Sequence, residues 1–211
     1  MAEKISQATV NRLPLYYRTL QEMQAQGVNM ISSQELGEIL NLKPVQIRKD
    51  LAYFGNFGLK GYGYFVNELK NGIAKVLGFQ YHRKIAIACA NYLGTAIVNN
   101  EKFSELGFQV AALFDDDEKI IGSEINGVKI YDLKKIESVA KRKRIDIGII
   151  TVSENLAQKV ANDFISAGVF GIWNFSPTRI VVPKKIALVN EDLFFGLSSL
   201  SYHITQNEKL L

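Results

Sequence analysis

The sequence has little of what marks secreted, membrane-spanning or metal-binding proteins. Its 211 residues include one cysteine and two histidines. A single cysteine excludes an internal disulfide framework and fits a reducing cytoplasm, and no group of residues has metal-ligand spacing. No apolar run approaches the roughly 20 residues that cross a bilayer, and the N-terminus lacks a signal-peptide pattern. We therefore expect a cytoplasmic protein without a metal site or a membrane span.

The chain also has only a small excess of positive over negative charge. The formal net charge is +4 at pH 7, and hydrophobic and charged residues make up 47% and 22% of the chain. These values are ordinary for a globular protein, and the length allows one or two domains with their own cores. So small a positive excess neither establishes nor excludes a nucleic-acid partner. The partner has to be inferred from motifs.

Residues 43–54 have the pattern of a DNA-reading helix. Pro44 suits the first helical position, and Ile47, Leu51 and Phe54 recur at the spacing of one buried stripe. The side chains that this spacing turns outward are Gln46, Arg48, Lys49, Ala52 and Tyr53. Cations can hold phosphates or guanine edges, and an amide can reach adenine. We interpret the stretch as a recognition helix, the alternative being an ordinary surface helix.

Residues 55–64 follow with four glycines among aromatic side chains. Glycines permit tight reversal and the interleaved residues can pair as short strands, so a β-hairpin wing is predicted. Lys60 at its tip, with Tyr62 beside it, is placed to enter a minor groove or hold a phosphate. The alternative is a glycine-rich surface loop. With a capping box at Ser32 and Glu35 opening the preceding helix, residues 1–80 are predicted to form a winged helix-turn-helix DNA-binding domain.

Strands and helices alternate from residue 84 onward. The predicted strands are 85–88, 109–114, 128–131, 147–152, 171–175 and 186–189. Alternation over about 100 residues predicts an α/β fold with a Rossmann-like, doubly wound parallel sheet across residues 81–190.

The turn after the first of these strands sits where a dinucleotide fingerprint would lie. Its residues are Cys89, Ala90, Asn91, Tyr92, Leu93 and Gly94. Only the third glycine of G-x-G-x-x-G is present, although helix N-terminal amides can still receive an anion. Asp115, 21 residues beyond Gly94, is predicted to bind ribose hydroxyls; the alternative is an acidic surface turn. A site that binds a dinucleotide and a site that has lost the ability to bind one both remain open.

Cys89 itself has two interpretations. A thiol at a helix start could serve as a redox sensor, because a thiolate is stabilised there. The favoured interpretation is a small packed residue at a strand end.

Groups that could catalyse a reaction are missing beside this turn. The two histidines are His82, at the domain boundary, and His203, in the last helix. Since no nucleophile motif or acid–base pair appears, we expect no enzyme.

The basic run at residues 141–144 ends a predicted helix that Asp132 caps. Four cations there suit the negative helix C-terminus, and we favour this interpretation over a nucleic-acid patch.

The last segment, residues 191–211, is predicted to be an unusually apolar helix. Leu193, Leu197, Leu200 and Ile204 form a stripe, and three aromatic residues widen it. Such a surface must bury either on the chain's own sheet or in a partner subunit.

Taken over nearly its whole length, the chain resembles the Rex family of redox-sensing transcriptional repressors. The matching segments are RLPLYYR at 12–18, SSQEL at 32–36, QIRKDLAYFG at 46–55, GLKGYGY at 58–64, FD at 114–115, GIWNFSP at 171–177 and NEDL at 190–193. They keep both order and spacing, which makes the resemblance specific.

The resemblance implies a homodimer that binds palindromic operator DNA and represses genes of anaerobic or NADH-linked metabolism. NADH is expected to release the DNA, whereas NAD⁺ is compatible with binding. The resemblance also implies that residues 191–211 form a dimerisation helix exchanged between subunits.

Several positions depart from the family's pattern. Cys89 and Asn91 replace its first two fingerprint glycines, and Ser153 stands where proline is frequent. Asn100 occupies the place of a tyrosine that helps couple cofactor state to the interdomain contact, while its expected partners, Arg12 and Asp192, are present. The alternatives are therefore an NAD(H)-responsive repressor, a repressor whose response is lost or altered, and, least favoured, an oxidoreductase.

Overall fold

The computed structural model describes residues 5–54, 58–59 and 62–208. They form two compact units, Met1–Tyr81 and His82–Leu211. Within the described part of the chain, no helix is both long enough and apolar enough to span a membrane.

The first unit is built from helices and one small sheet. Its elements are α1 (Gln7–Ala25), β1 (Met30–Ile31), α2 (Ser33–Leu40), α3 (Pro44–Leu51), β2 (Gly58–Leu59), β3 (Gly63–Phe65) and α4 (Val66–Leu77). Ser32 and Glu35 form the predicted capping box at the start of α2. Leu13 and Leu20 of α1, Ile47 of α3 and Leu69 of α4 are fully buried in one core.

The predicted wing is a hairpin in its described residues. Leu59 pairs with Gly63 and Gly58 with Tyr64, antiparallel, and β1 adds a third strand on the other side of β3. Gly63 has φ +119°, and a Cβ on Gly58 would collide with the carbonyl of Gly63. Both positions therefore require glycine. Lys60 lies outside the described residues.

The second unit is an α/β fold. Its elements are β4 (Arg83–Ala88), α5 (Tyr92–Val98), α6 (Lys102–Glu105), β5 (Phe108–Asp115), β6 (Glu124–Ile125), β7 (Val128–Asp132), α7 (Ile136–Lys143), β8 (Ile147–Ile150), α8 (Glu154–Ala167), β9 (Gly171–Asn174), β10 (Ala187–Asn190) and α9 (Leu193–Glu208). The sheet order is β10-β9-β8-β4-β5-β7-β6, and only β6 runs antiparallel to its neighbour. The predicted doubly wound parallel sheet is confirmed.

The two faces of this sheet are covered unequally. On one face, α7 and α8 pack over an apolar cluster that includes Phe114 and Phe164. On the other face, Ile97 and Val98 of α5 form one buried cluster with Ile87 of β4 and Leu113 of β5. Residues 175–186, between β9 and β10, form no helix. An apolar groove of about 360 Å³ follows β8, β9 and β10.

Candidate DNA-reading helix and nucleotide turn

Helix α3 presents two cations to solvent. Ile47 and Leu51 are 0% and 1% exposed, which turns Arg48 and Lys49 to the outside of the unit. Nη1 of Arg48 donates to Oγ of Ser33, at the start of α2, over 2.8 Å. This contact holds the guanidinium near the helix surface, where it can still reach an anion.

The other predicted DNA contacts differ in exposure. Tyr53 is half-buried in the short turn after α3, whereas Tyr62 in the wing is 78% exposed. Gln46 is half-buried, and its Nε2 donates to Oδ1 of Asp50 over 2.8 Å. Bidentate reading of adenine needs both ends of the amide, and one end of Gln46 already has an intramolecular partner.

Asp50 is the residue of α3 that helical spacing does not reveal. It is 0% exposed and receives Nε and Nη2 of Arg12 at 2.6 and 2.8 Å, Oη of Tyr16 at 2.7 Å and Oγ1 of Thr9 at 3.0 Å. Burial alone would raise the pKa of Asp50, but these hydrogen bonds and that of Gln46 outweigh it and lower the pKa to about 2. Asp50 thereby fixes the orientation of α3 on α1.

The nucleotide turn, residues 89–94, keeps the backbone of the glycine fingerprint. Cys89 has φ +85°, a conformation that usually requires glycine. A Cβ on Gly94 would collide with the carbonyl oxygen of Cys89, so the third glycine is needed for close approach of helix and strand. The turn therefore fits a dinucleotide in its backbone path.

Asn91 changes the chemistry of this turn. Its Oδ1 accepts from the Gly94 amide and its Nδ2 donates to the carbonyl of Thr151, both at 3.0 Å. As the N-cap of α5, the side chain satisfies an amide that would otherwise face an anion. One of the donors for a pyrophosphate is therefore already occupied.

Asp115 supports the turn from the neighbouring strand. It is 7% exposed, and its carboxylate accepts from the amides of Ala90, Asp116 and Asp117 at 2.7, 2.9 and 3.0 Å. A carboxylate has about four acceptor positions, so about one remains for a ribose hydroxyl. The alternative interpretation, an acidic surface turn, fits Asp116 and Asp117, which are exposed. It does not fit Asp115, which is buried.

Cys89 lies half-buried against the α7–α8 side of the sheet. Burial raises the pKa of its thiol, and the nearby Asp115 carboxylate raises it further. A raised pKa opposes the thiolate that a redox sensor needs, which supports the interpretation as a packed residue.

Each predicted coupling residue has a hydrogen-bonded partner within its own unit. Arg12 pairs with Asp50. Oδ1 of Asn100 accepts from the Lys102 amide at 3.1 Å, and Oδ1 of Asp192 accepts from the Phe194 amide at 2.8 Å, each at the start of a helix. Asn100 and Asp192, both described, are not hydrogen-bonded to each other.

Known families and structures match both units. The model for "Putative DNA-binding protein N-terminus" covers residues 4–52, and that for "CoA binding domain" covers residues 80–178. The redox-sensing transcriptional repressor Rex of Clostridium beijerinckii is 42% identical over 98% of this chain and 98% of its own length. That of Clostridium perfringens is 42% identical over 97% and 96%.

Solved structures match nearly the whole chain. RSP in complex with β-NAD⁺ and operator DNA matches with a TM-score of 0.92 at 38% identity, over 99% of this chain and 96% of that one. RSP in complex with β-NADH matches with a TM-score of 0.91 at 36% identity, over 99% and 98%.

A winged helix-turn-helix and a Rossmann-like sheet on one chain define a class, the transcription regulators that carry a nucleotide-binding fold. Within that class, the chain belongs to the Rex family of redox-sensing transcriptional repressors. The family resemblance of its motifs is thereby confirmed. The expectation that it is not an enzyme is confirmed as well, because its relatives are repressors.

Proposed function

We propose that this protein represses transcription from palindromic operators in the cytoplasm and leaves the DNA when NADH binds. The observation that carries the proposal is the turn at residues 89–94, which keeps a glycine-type backbone at φ +85° without the glycine. It lies in a chain that matches RSP bound to NAD⁺ with operator DNA, and RSP bound to NADH.

On the DNA side, we assign α3 to the major groove. Arg48 and Lys49 are exposed and basic, so they supply guanine or phosphate contacts. Tyr53, Tyr62 and Lys60 complete the surface, with Lys60 assigned from the sequence alone. Gln46 contributes chiefly by holding Asp50, since its amide nitrogen already binds there.

On the cofactor side, the nucleotide turn would hold the pyrophosphate of NAD(H). The amides of Tyr92 and Leu93, at the start of α5, would donate to the pyrophosphate. Asp115, which supports the turn, would offer an acceptor to the ribose. When bound, the nicotinamide supplies a charge that differs between its oxidised and reduced forms. Because the Asn91 side chain accepts from the Gly94 amide, the turn would offer the pyrophosphate fewer donors than a glycine fingerprint offers.

Dimerisation follows from two complementary apolar surfaces. Every described side chain of α9 from 194 to 207 is exposed, including Phe194, Phe195 and Leu197 at 67%, 75% and 64%. The groove along β8–β10 is lined by Ile149, Trp173 and other apolar side chains. Residues 175–186, which connect β9 to β10, form no helix that could cover it. Exchange of α9 between two copies buries both surfaces, and the resulting two-fold symmetry suits a palindrome.

Arg12, Asn100 and Asp192 are proposed to couple cofactor state to operator binding, as the family resemblance implies. Asn100 lacks the phenol of the tyrosine that the resemblance leads us to expect at this position. We therefore propose that the coupling passes mainly through Arg12 and Asp192.

A gel-shift assay with a labelled A·T-rich palindromic duplex distinguishes the alternatives. Retention in NAD⁺ and release by NADH support the proposal. Operator binding that ignores both nucleotides indicates a repressor with a lost or altered response. NADH oxidation that requires a substrate, without any duplex binding, indicates an oxidoreductase.

A further inference from the structure

The amino ends of β4, β5 and β7 border a cleft of about 810 Å³. Five cations line this basic cleft against one carboxylate, Glu124: they are Lys84, Lys129, Arg142, Lys143 and Arg144. Its volume falls in the roughly 300–1,000 Å³ range of small-molecule sites. The cleft is large enough for a ligand and strongly positive.

The five cations have no carboxylate partner among the described residues. The ion pairs found there are Arg12–Asp50, Arg18–Glu22, Arg83–Asp146 and Lys159–Asp163. Nζ of Lys129 and Nζ of Lys143 lie 5.9 and 5.7 Å from the centroid of the same ring, that of Tyr131. Two like charges therefore lie close to one aromatic ring, and a bound anion would offset their mutual repulsion.

The helix dipole explains only part of this arrangement. Arg142, Lys143 and Arg144 end α7, where cations suit the negative C-terminus. Lys84 comes from β4 and Lys129 from β7, so neither is on that helix. An anion site requires cations from several elements to converge on one cleft. The dipole of α7 accounts only for the cations at the end of that helix.

We propose that the basic cleft binds a chain of phosphates, as a nucleoside polyphosphate or as inorganic polyphosphate. Arginine guanidinium groups bind phosphate oxygens in pairs, and lysines add point charges. The nucleotide turn follows the opposite end of β4, roughly 16 Å from Lys84 at the rise of a strand. The cleft is therefore a second anion site, independent of the proposed NAD(H) response.

The test is isothermal titration of the full chain with inorganic tripolyphosphate at low ionic strength. We expect about one tripolyphosphate per chain. The double variant Lys129→Gln with Arg142→Gln should bind at least about tenfold more weakly, since it loses two charge-assisted contacts. The matched control, Lys134→Gln with Lys141→Gln, removes two exposed cations, one before α7 and one within it, neither of which lines the cleft. It should bind within about twofold of wild type.

Two further arms locate the site and its ligand. Saturating NADH should leave tripolyphosphate binding unchanged. ATP binding tighter than tripolyphosphate assigns the cleft to nucleoside polyphosphates, and equal binding assigns it to inorganic polyphosphate.

The proposal is overturned if wild type does not bind tripolyphosphate, or if the control variant loses binding equally. Displacement by NADH would place the anion at the nucleotide turn instead. If tripolyphosphate fails while random duplex DNA binds through Lys129 and Arg142, the cleft serves a nucleic acid and the proposal is wrong.

Discussion

A single carboxylate, Asp50, organises the unit that carries α3. Its partners Thr9, Arg12 and Tyr16 lie 41, 38 and 34 residues earlier in the chain. Helical spacing correctly predicted that Ile47 and Leu51 face inward. It could not place Asp50 there, because a buried aspartate depends on partners that are distant in sequence.

Asp50→Asn should lower the free energy of unfolding of the protein by about 2–4 kcal/mol, because it leaves Arg12 facing a neutral amide in a largely buried network. Urea denaturation measures the difference. Asp163→Asn is the control, since its partner Lys159 has a side chain that is 63% exposed, and it should cost less than about 1 kcal/mol. Equal losses in the two variants would contradict this role of Asp50.

The lowered pKa of Asp50 also gives stability a pH dependence. The pKa falls from 3.8 to about 2 on folding, so the stabilisation is complete above pH 4 and is lost as the pH falls through about 2. It amounts to about 2 kcal/mol for a shift of this size. When unfolding is measured from pH 5 to pH 2, the difference in free energy of unfolding between wild type and Asp50→Asn should become smaller. A difference that stays constant would show that Asp50 does not titrate in this way.

Asn91→Gly should tighten NADH binding roughly tenfold, because it returns one amide donor to the pyrophosphate. Glycine also serves as an N-cap, so α5 loses only a few tenths of a kcal/mol. Fluorescence titration of NADH measures the affinity. Asn126→Gly, in the β6–β7 turn, is the control and should leave it unchanged. Weaker binding by Asn91→Gly would mean that the Asn91 side chain itself holds the cofactor.

Periodicity in the sequence predicted the longer strands and helices, but it did not predict the shortest strands. β1 and β6 have two residues each, and they exist because they pair with β3 and β7. Two residues carry no periodic signal, so only the folded partner defines them. The wing was predictable because its glycines mark the reversal directly.

The two exposed cations of helix α3 are predicted to contact the operator. Arg48→Ala or Lys49→Ala should weaken operator binding by roughly 1–3 kcal/mol for each lost base contact. A residue that contacts only phosphate should weaken all duplexes alike and flatten the salt dependence. Fluorescence anisotropy at several salt concentrations separates the two cases. Lys75→Ala on α4 is the control, and α3 is not the reading element if all three variants bind like wild type.

For the whole molecule, the sequence predicted the apolar character of α9 but left open whether it binds its own sheet or a partner. The exposure of Leu197 and Leu200 at 64% and 55% favours the partner. The sequence cannot decide between the two, because under the proposed exchange the surface that buries α9 belongs to another copy.

Leu197→Glu with Leu200→Glu should convert the dimer to a monomer, because charges cannot enter the apolar groove. Sedimentation velocity measures the mass, and Gln206→Glu on the same helix is the control that should remain dimeric. A variant that stays dimeric would show that another surface joins the subunits.

The most direct test of the central claim is the operator affinity of the full-length protein at fixed salt and fixed total nucleotide, measured while the NADH:NAD⁺ ratio is varied. We expect the affinity to fall steadily as the NADH fraction rises. An affinity that is the same at every ratio would contradict the claim that this chain senses redox state through NAD(H).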